Sequence, residues 1–167
     1  MRKMTESNLQ AAFAGESQAH MRYLIFSDRA EKDGQANVAR LFKAIAFAEQ
    51  VHATNHFKTL DGIGTTAGNL QTAINGETYE VEEMYPAFRA VAELQGEKGA
   101  VRSTGWALEA EKVHAELYSQ AQTAVKGGDD VDIGEVHVCE LCGWTGTGEK
   151  PDRCPLCGAK AERIRTF

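Results

Sequence analysis

The chain has 167 residues, 43% of them hydrophobic and 25% charged, with a net charge of −6. That balance belongs to a globular protein, long enough for one domain of ordinary size and a small appendage, and not to a disordered chain. The acidic excess argues against a nucleic-acid partner, no window approaches the ~20 apolar residues of a membrane span, and no apolar run follows the basic start "MRKM", as it would in an export signal.

Thr5 is placed to N-cap a first helix running to about residue 32, where "KDG" sets Gly34 beyond its end. A second helix takes about 35–60. "DGIGTTAGN" then forms a loop, and this longer piece leaves room for a crossover. A third helix spans about 70–95, with Pro86 expected to kink it, and a fourth spans about 97–126. Four long helices with mostly short connections read as a four-helix bundle. "GGDDVDIG" follows as a polar, flexible linker. The remaining glycine-rich piece is too small to bury a core and needs a staple. The expected plan is a helical domain over 1–128, a linker over 129–134 and a small domain over 135–167.

"AEQVHA" at 48–53 returns as "AEKVHA" at 110–115. In the second helix Leu41, Ile45, Ala48, His52 and Thr59 fall at helical spacing and mark a buried stripe that includes Glu49. The fourth helix repeats the pattern with Val101, Thr104, Leu108, Glu111, His114 and Tyr118. The first offers Leu9, Phe13, Glu16 and Tyr23, the third Leu70, Ile74, Glu77, Val81, Met84 and Phe88. Each helix thus brings a carboxylate to its apolar face, where an uncompensated charge costs several kcal/mol.

Glu16 precedes Glu49 by 33 residues and Glu77 precedes Glu111 by 34, and Glu16 and Glu77 each follow a glycine. A duplicated helix pair explains this, and pairing the two copies antiparallel brings four glutamates and two histidines together. One glutamate from each of two helices and Glu-x-x-His from each of the other two is the ligand set of dinuclear carboxylate bundles, suited to iron, manganese or zinc. Glu80, three residues after Glu77, adds a fifth glutamate on the same face, a spare ligand for a change of oxidation state. Tyr23 and Tyr85 lie about two turns past Glu16 and Glu77 and are candidates to hydrogen-bond the site carboxylates. His20 and His56 read as ordinary helix histidines.

The four cysteines form Cys139-x2-Cys142 and Cys154-x2-Cys157, the strong form of a tetrathiolate signal. Their clustering favours metal thiolates in a reducing cytoplasm over disulfides. The spacing leaves a structural zinc ribbon and a one-electron iron centre both open. Trp144 and Phe167 are the aromatics available to cover the site.

"FAGES", the two Glu-x-x-His motifs, "GETYE…EMYPAF" and the terminal "CELCG…CPLCG" together resemble the rubrerythrin family over essentially the whole chain. The resemblance implies an all-α ferritin-like four-helix bundle followed by a rubredoxin-like domain. It implies two bridged iron ions held by Glu16, Glu49, His52, Glu77, Glu80, Glu111 and His114, and a third iron held by Cys139, Cys142, Cys154 and Cys157. The implied activity is reduction of hydrogen peroxide to water, with electrons from NAD(P)H through a separate reductase or rubredoxin. Members are homodimers or larger, with one subunit's rubredoxin-like domain near the partner's di-iron site, and some swap helices. The rival readings are a ferroxidase or storage protein, and a non-enzymatic electron carrier or zinc-binding protein.

Overall fold

The computed structural model describes residues 1–167, which divide into two compact units, Met1–Gly64 and Thr65–Phe167.

The first unit is a hairpin of α1 (Lys3–Lys32) and α2 (Ala36–Thr59). Thr5 lies inside α1 rather than capping it, because the helix already begins at Lys3 after an extended Arg2. Gly34, at φ 76°, turns the chain where a Cβ would be strained. The seam between the helices is made of small residues: Ser27 and Ala30 of α1 are buried, as are Ala39, Ala46 and Ala53 of α2. Two polar bonds tie the seam, Ser27 Oγ donating to the Ala39 carbonyl (2.9 Å) and His20 Nδ1 donating to that of Ala46 (2.8 Å). Phe13 stacks on Phe57 at one end, and Tyr23 packs beside Phe26 and Phe42.

The buried stripe of α2 is therefore not the expected one. Leu41 is 60% exposed, Ile45 41%, and His52 and Thr59 also face outward. Alanines every seven residues let two backbones approach closely, so the hairpin closes on them. At ~100° per residue the Glu49 direction lies roughly 60° around the helix from Ala46.

The second unit holds α3 (Thr66–Tyr79), a π-helical turn (Glu80–Met84), α4 (Tyr85–Leu94) and α5 (Lys98–Gly127). It starts earlier than expected because Thr65 is the N-cap, its hydroxyl accepting from Gly68 N (3.2 Å). The connection from α2 to α3 thus shrinks to residues 60–65. This short link is further bound up in the α2 cap: Asp61 is left-handed (φ 54°) and Gly62 N bonds back to Phe57 O (3.1 Å). Buried Gln122 joins α5 to α3, donating to the Ala67 carbonyl (3.1 Å) and to Gln71 Oε1 (2.9 Å).

Where a kink at Pro86 was expected, the helix widens before it. Pro86 cannot donate to a carbonyl one α-turn back, and Tyr85 N instead bonds to Glu80 O, five residues earlier. The wide turn absorbs one residue. In an unbroken α-helix Tyr85, eight residues past Glu77, would point roughly 80° away from it; with one residue absorbed the offset falls to roughly 20°. That equals the offset of Tyr23 from Glu16, seven residues apart in a regular helix, so the bulge restores the register of the duplicated pair.

After Gly128, left-handed at φ 93°, the chain runs to a three-stranded antiparallel sheet in the order β2-β1-β3. Its strands are β1 (Val136–Cys139), β2 (Thr145–Thr147) and β3 (Ile164–Thr166). β1 is central, with Val138 opposite Thr145 and Cys139 opposite Ile164. His137, 1% exposed, is bonded on both sides, Nδ1 to Thr166 Oγ1 (3.0 Å) and Nε2 to the Gly148 carbonyl (2.8 Å). Gly146 leaves space for the Trp144 ring: a Cβ there would lie 2.6 Å from it. No helix is long and apolar enough to cross a membrane.

Candidate metal centres

The four cysteine sulfurs lie within 4.8 Å of one another. Cys139 and Cys157 Sγ are 3.7 Å apart, Cys142 and Cys154 Sγ 3.5 Å. Four thiolates at ~2.3 Å around a tetrahedral ion have edges of about 3.8 Å, so the four fit a single ion. The two knuckles are built alike. Gly143 N bonds to Cys139 O and Gly158 N to Cys154 O, both at 2.9 Å. Both glycines are left-handed, at φ 79° and 74°, a conformation a side chain would strain. Burial acts to raise the Cys139 thiol, but the backbone amides of Leu141 and Cys142 and the neighbouring thiols outweigh it and bring it down to about 7. Burial pushes Cys142 and Cys157 up. A cation is what lets all four be thiolates together.

Trp144, Leu156 and Ala159 pack on this cluster, joined by Trp106 from α5. Phe167, expected to cover it, is 66% exposed and lies under Arg165 instead. Trp106 occupies the place because the cysteine module rests on the α5 of its own chain, contrary to a module left loose on its linker.

The carboxylates form two groups, one in each unit. In the first, Glu16, Glu49 and His52 offer ligand atoms within 4.8 Å of one another. Glu49 Oε2 faces His52 Nδ1 at 2.9 Å. In the second, Glu77, Glu111 and His114 do the same, with Glu111 Oε2 at 2.6 Å and Glu77 Oε1 at 4.0 Å from His114 Nδ1. The three-residue spacing puts each Glu and His on one flank of a helix, so the pairs are set before any ion arrives.

Glu80 is not among the ligand atoms that lie within 4.8 Å of one another, but it feels the charges of that group. Burial raises its carboxyl, the Glu111 charge raises it further, and His114 opposes the rise. Glu77 is pushed up to about 7 by burial first, and then by its hydrogen bond to Glu111 and that group's charge. Tyr85 is raised by burial and by the charges of Glu80, Glu111 and Glu77. Neither Tyr85 nor Tyr23 hydrogen-bonds a site carboxylate; Tyr23 makes ring contacts with Phe26 and Phe42. His20 is a seam residue, as expected.

His114 reaches the cysteine module directly. Its Nε2 is 2.8 Å from Thr145 Oγ1, and that hydroxyl donates to the Gly143 carbonyl at 3.1 Å. The Thr145 hydrogen being committed, Nε2 carries the ring hydrogen and donates to Thr145. Nδ1 then faces two carboxylates with a lone pair, which requires a proton or a cation between them. A divalent ion takes the same lone pairs and relieves the crowding that raises Glu77. The donor set therefore fits a metal. Sequence reading did not single out Thr145, Trp106 or His137; none stands at a ligand spacing, and their roles come from contacts across 29 or 31 residues or from packing between elements.

A family model for rubrerythrin matches residues 7–122. The chain belongs to the rubrerythrin family. Among relatives, it is 43% identical to rubrerythrin-2 of Clostridium acetobutylicum, over 98% of this chain and 97% of that one. It is 36% identical to nigerythrin of Nitratidesulfovibrio vulgaris, over 92% and 81%. Among solved structures, partially reduced nigerythrin aligns with a TM-score of 0.57 and 33% identity, over 98% of this chain and 86% of the other. The fold class is accordingly ferritin-like helices followed by a rubredoxin-like module, as in other rubrerythrins, and the cofactors are a di-iron centre and a rubredoxin-type iron held by the four cysteines.

Proposed function

We propose that this rubrerythrin is a peroxidase that reduces hydrogen peroxide to two waters, consuming two electrons and two protons, in a reducing cytoplasm. In this reading residues 1–128 carry the dinuclear ligands Glu16, Glu49, His52, Glu77, Glu80, Glu111 and His114. Residues 135–167 carry the electron relay at Cys139, Cys142, Cys154 and Cys157, and 129–134 join the two. Held by these residues, two ferrous ions would supply the two electrons that cleave an O–O bond without free hydroxyl radical.

The chain's own groups account for the rest. Five glutamates offset the charge of the oxidised metal pair. Glu80, whose partners are Glu111 and His114, is the carboxylate free to join when that charge rises. Glu77, pushed up to about 7 by burial and by Glu111 in the metal-free protein, would give up its proton to bind a cation. Tyr85, which feels the charges of the same carboxylates, would be a hydrogen-bond donor available to the site.

The observation that carries the reading is the path from His114 through Thr145 to Gly143, next to Cys142. It supports a working connection between ligand set and cysteine module. A storage protein gives that module no task, and a zinc protein gives the path none. The external donor in this reading is a rubredoxin or an NADH-linked reductase, delivering one electron at a time to the cysteine iron.

The test is to load the protein with iron, reduce it anaerobically, and mix it rapidly with H2O2 or O2 while following thiolate-iron absorption. Rapid oxidation by peroxide and slow oxidation by O2 is expected. Faster reaction with O2, or a cysteine iron that stays reduced while the di-iron pair oxidises, would return the reading to a ferroxidase. Cys154→Ser should retain one fast peroxide turnover and lose turnover driven by an external donor.

A further inference from the structure

We infer that the ion held by the four cysteines sets the metal affinity of the Glu77, Glu111 and His114 group, with Thr145 as the positioning residue between them. This task is separate from electron relay and holds whatever the substrate. It requires only that both ligand groups hold metal.

The cysteine module has no core apart from its ligands. The buried residues of 135–167 are His137, Cys139, Cys142, Thr145, Cys154 and Ile164. Ile164 is the only aliphatic side chain among them, and it packs on the cysteines themselves. So small a piece does not hold its fold on one buried aliphatic residue; a tetrathiolate ion supplies the missing free energy. The sheet depends on the ion in the same way. β2 has three residues and pairs only with β1, whose last residue is the ligand Cys139. Cys139 N donates to Trp144 O (2.8 Å), and the ligand Cys142 leads through Gly143 and Trp144 into β2. Metal ligands therefore fix where β2 lies.

Thr145 carries that dependence to α5. Its hydroxyl donates to Gly143 O (3.1 Å) in the first cysteine knuckle and accepts from His114 Nε2 (2.8 Å). Apolar packing does not fix the imidazole on this side. Leu117, Tyr118 and Ala121 of α5 face Ile133, Val136 and Val138 across a cleft of about 350 Å3 that reaches His114 and Thr145. The hydrogen bond is what holds the ring there. Trp106, eight residues before His114 and so ~12 Å along the helix, rests on the cysteine cluster. The folded module thus meets α5 at two points, and the pair sets its register on the helix.

A module without its ion withdraws both contacts. His114 Nε2 then faces water, the ring is free to turn, and Nδ1 is no longer held toward Glu111 (2.6 Å) and Glu77 (4.0 Å). Loss of such a support weakens a metal site about 10–100-fold. His52, the matching residue of the duplicated pair, has its bond to Glu49 (2.9 Å) and no second one, so the cysteine ion acts on one histidine of the two. Coupling of binding free energies is reciprocal. A cation on the His114 group therefore tightens the cysteine ion by the same factor, and the sites assemble in order, cysteines first.

The test uses the full chain, with zinc at the cysteines and cobalt(II) as the probe of the carboxylate and imidazole ligands. One zinc ion per chain is added first, and its place is checked by the loss of free thiols. Cobalt(II) is then titrated anaerobically against a graded chelator and followed by its d–d absorption. The comparison is a chain carrying Cys154→Ser and Cys157→Ser, which cannot form the tetrathiolate. It should bind cobalt about 10–100-fold more weakly than the zinc-loaded native chain. Equal affinity would overturn the inference.

Thr145→Val guards against wider unfolding in the serine variant, because it keeps the module and its zinc. It should show the same loss of cobalt affinity, while Thr145→Ser should bind as the native chain does. If Thr145→Val binds as tightly as Thr145→Ser, the inference is wrong even where the serine variant is weak. In a His114→Ala background the state of the cysteines should no longer matter, and a persisting difference would exclude the route through Thr145. Reciprocity gives a last readout. Bound cobalt should make zinc harder to extract from the cysteines in the native chain and not in Thr145→Val; an equal effect in both would overturn the coupling. No readout uses peroxide, so a protein that shows the coupling yet fails to reduce peroxide refutes the peroxidase reading alone.

Discussion

Thr145→Val removes one hydroxyl and nearly nothing else, which makes it the sharpest probe of the path between the two metal centres. Thr145 is 6% exposed, and its hydroxyl accepts from His114 Nε2 at 2.8 Å while donating to Gly143 O at 3.1 Å. Valine keeps the shape and the β propensity of the strand but leaves Nε2–H without its partner. His114 retains 29% side-chain exposure, so water partly replaces the lost bond and the fold should weaken by about 1 kcal/mol, the lower end for an unsatisfied donor. The larger effect falls on the metal. The bond fixes which nitrogen carries the hydrogen and keeps Nδ1 aimed at Glu111 and Glu77. Removing such a support costs 10–100-fold in metal affinity or activity as an order of magnitude, or about 1.4–2.7 kcal/mol. The assay is iron retention by the di-iron site against a graded chelator, with the thiolate absorption of the cysteine iron as internal reference. Re-reduction of that iron after a peroxide pulse gives the kinetic readout. Thr145→Ser should behave as the native protein, because it keeps the hydroxyl. If Thr145→Val holds iron as tightly as Thr145→Ser and passes electrons equally fast, the bond neither orients His114 nor links the centres.

Gly146→Ala should force a Cβ to within 2.6 Å of the Trp144 ring, costing about 1–3 kcal/mol by overpacking; thermal loss of the thiolate chromophore, at lower temperature than in the native protein, checks this. Ala46→Leu places a large side chain at a seam position that is 0% exposed and should destabilise the helical part by about 1–3 kcal/mol or more, read as a lower denaturation midpoint by circular dichroism with the cysteine site unaffected. The metal-free protein should also respond to pH through Glu77. Its folded carboxyl is raised to about 7 from an ordinary 4.5, so folding favours the protonated form. The stability this contributes is full below the ordinary value and is lost as pH rises through 7. Metal-free protein should therefore melt at lower temperature at pH 7.5 than at pH 5, and Glu77→Gln should flatten that difference. Metal uptake below pH 7 should release a proton, visible in a weakly buffered dye assay and reduced in Glu77→Gln.

Much of the site was legible in the sequence because its chemistry is periodic. The Glu-x-x-His pairs fall on one helical flank by spacing alone, and the two cysteine knuckles carry their glycines with them, so His52 with Glu49, His114 with Glu111 and the four thiols stand together as expected. The duplication that announces a dinuclear centre is likewise a property of the string. What sequence could not yield are the contacts between elements remote along the chain. Thr145 becomes a partner of His114 only when β2 meets α5, and Trp106 becomes part of the cysteine site only when the module settles on the same helix. The apolar period of α2 has two solutions, a seam of alanines and a stripe of larger residues, and only packing chooses between them for the hairpin. The one-residue difference between the Glu16–Tyr23 and Glu77–Tyr85 spacings is plain in the sequence, but its accommodation in a π-turn before Pro86 is a backbone decision. Local periodicity fixes what a residue can offer; the chain's three-dimensional path, set by caps, bulges and the packing of strand on helix, decides what it meets.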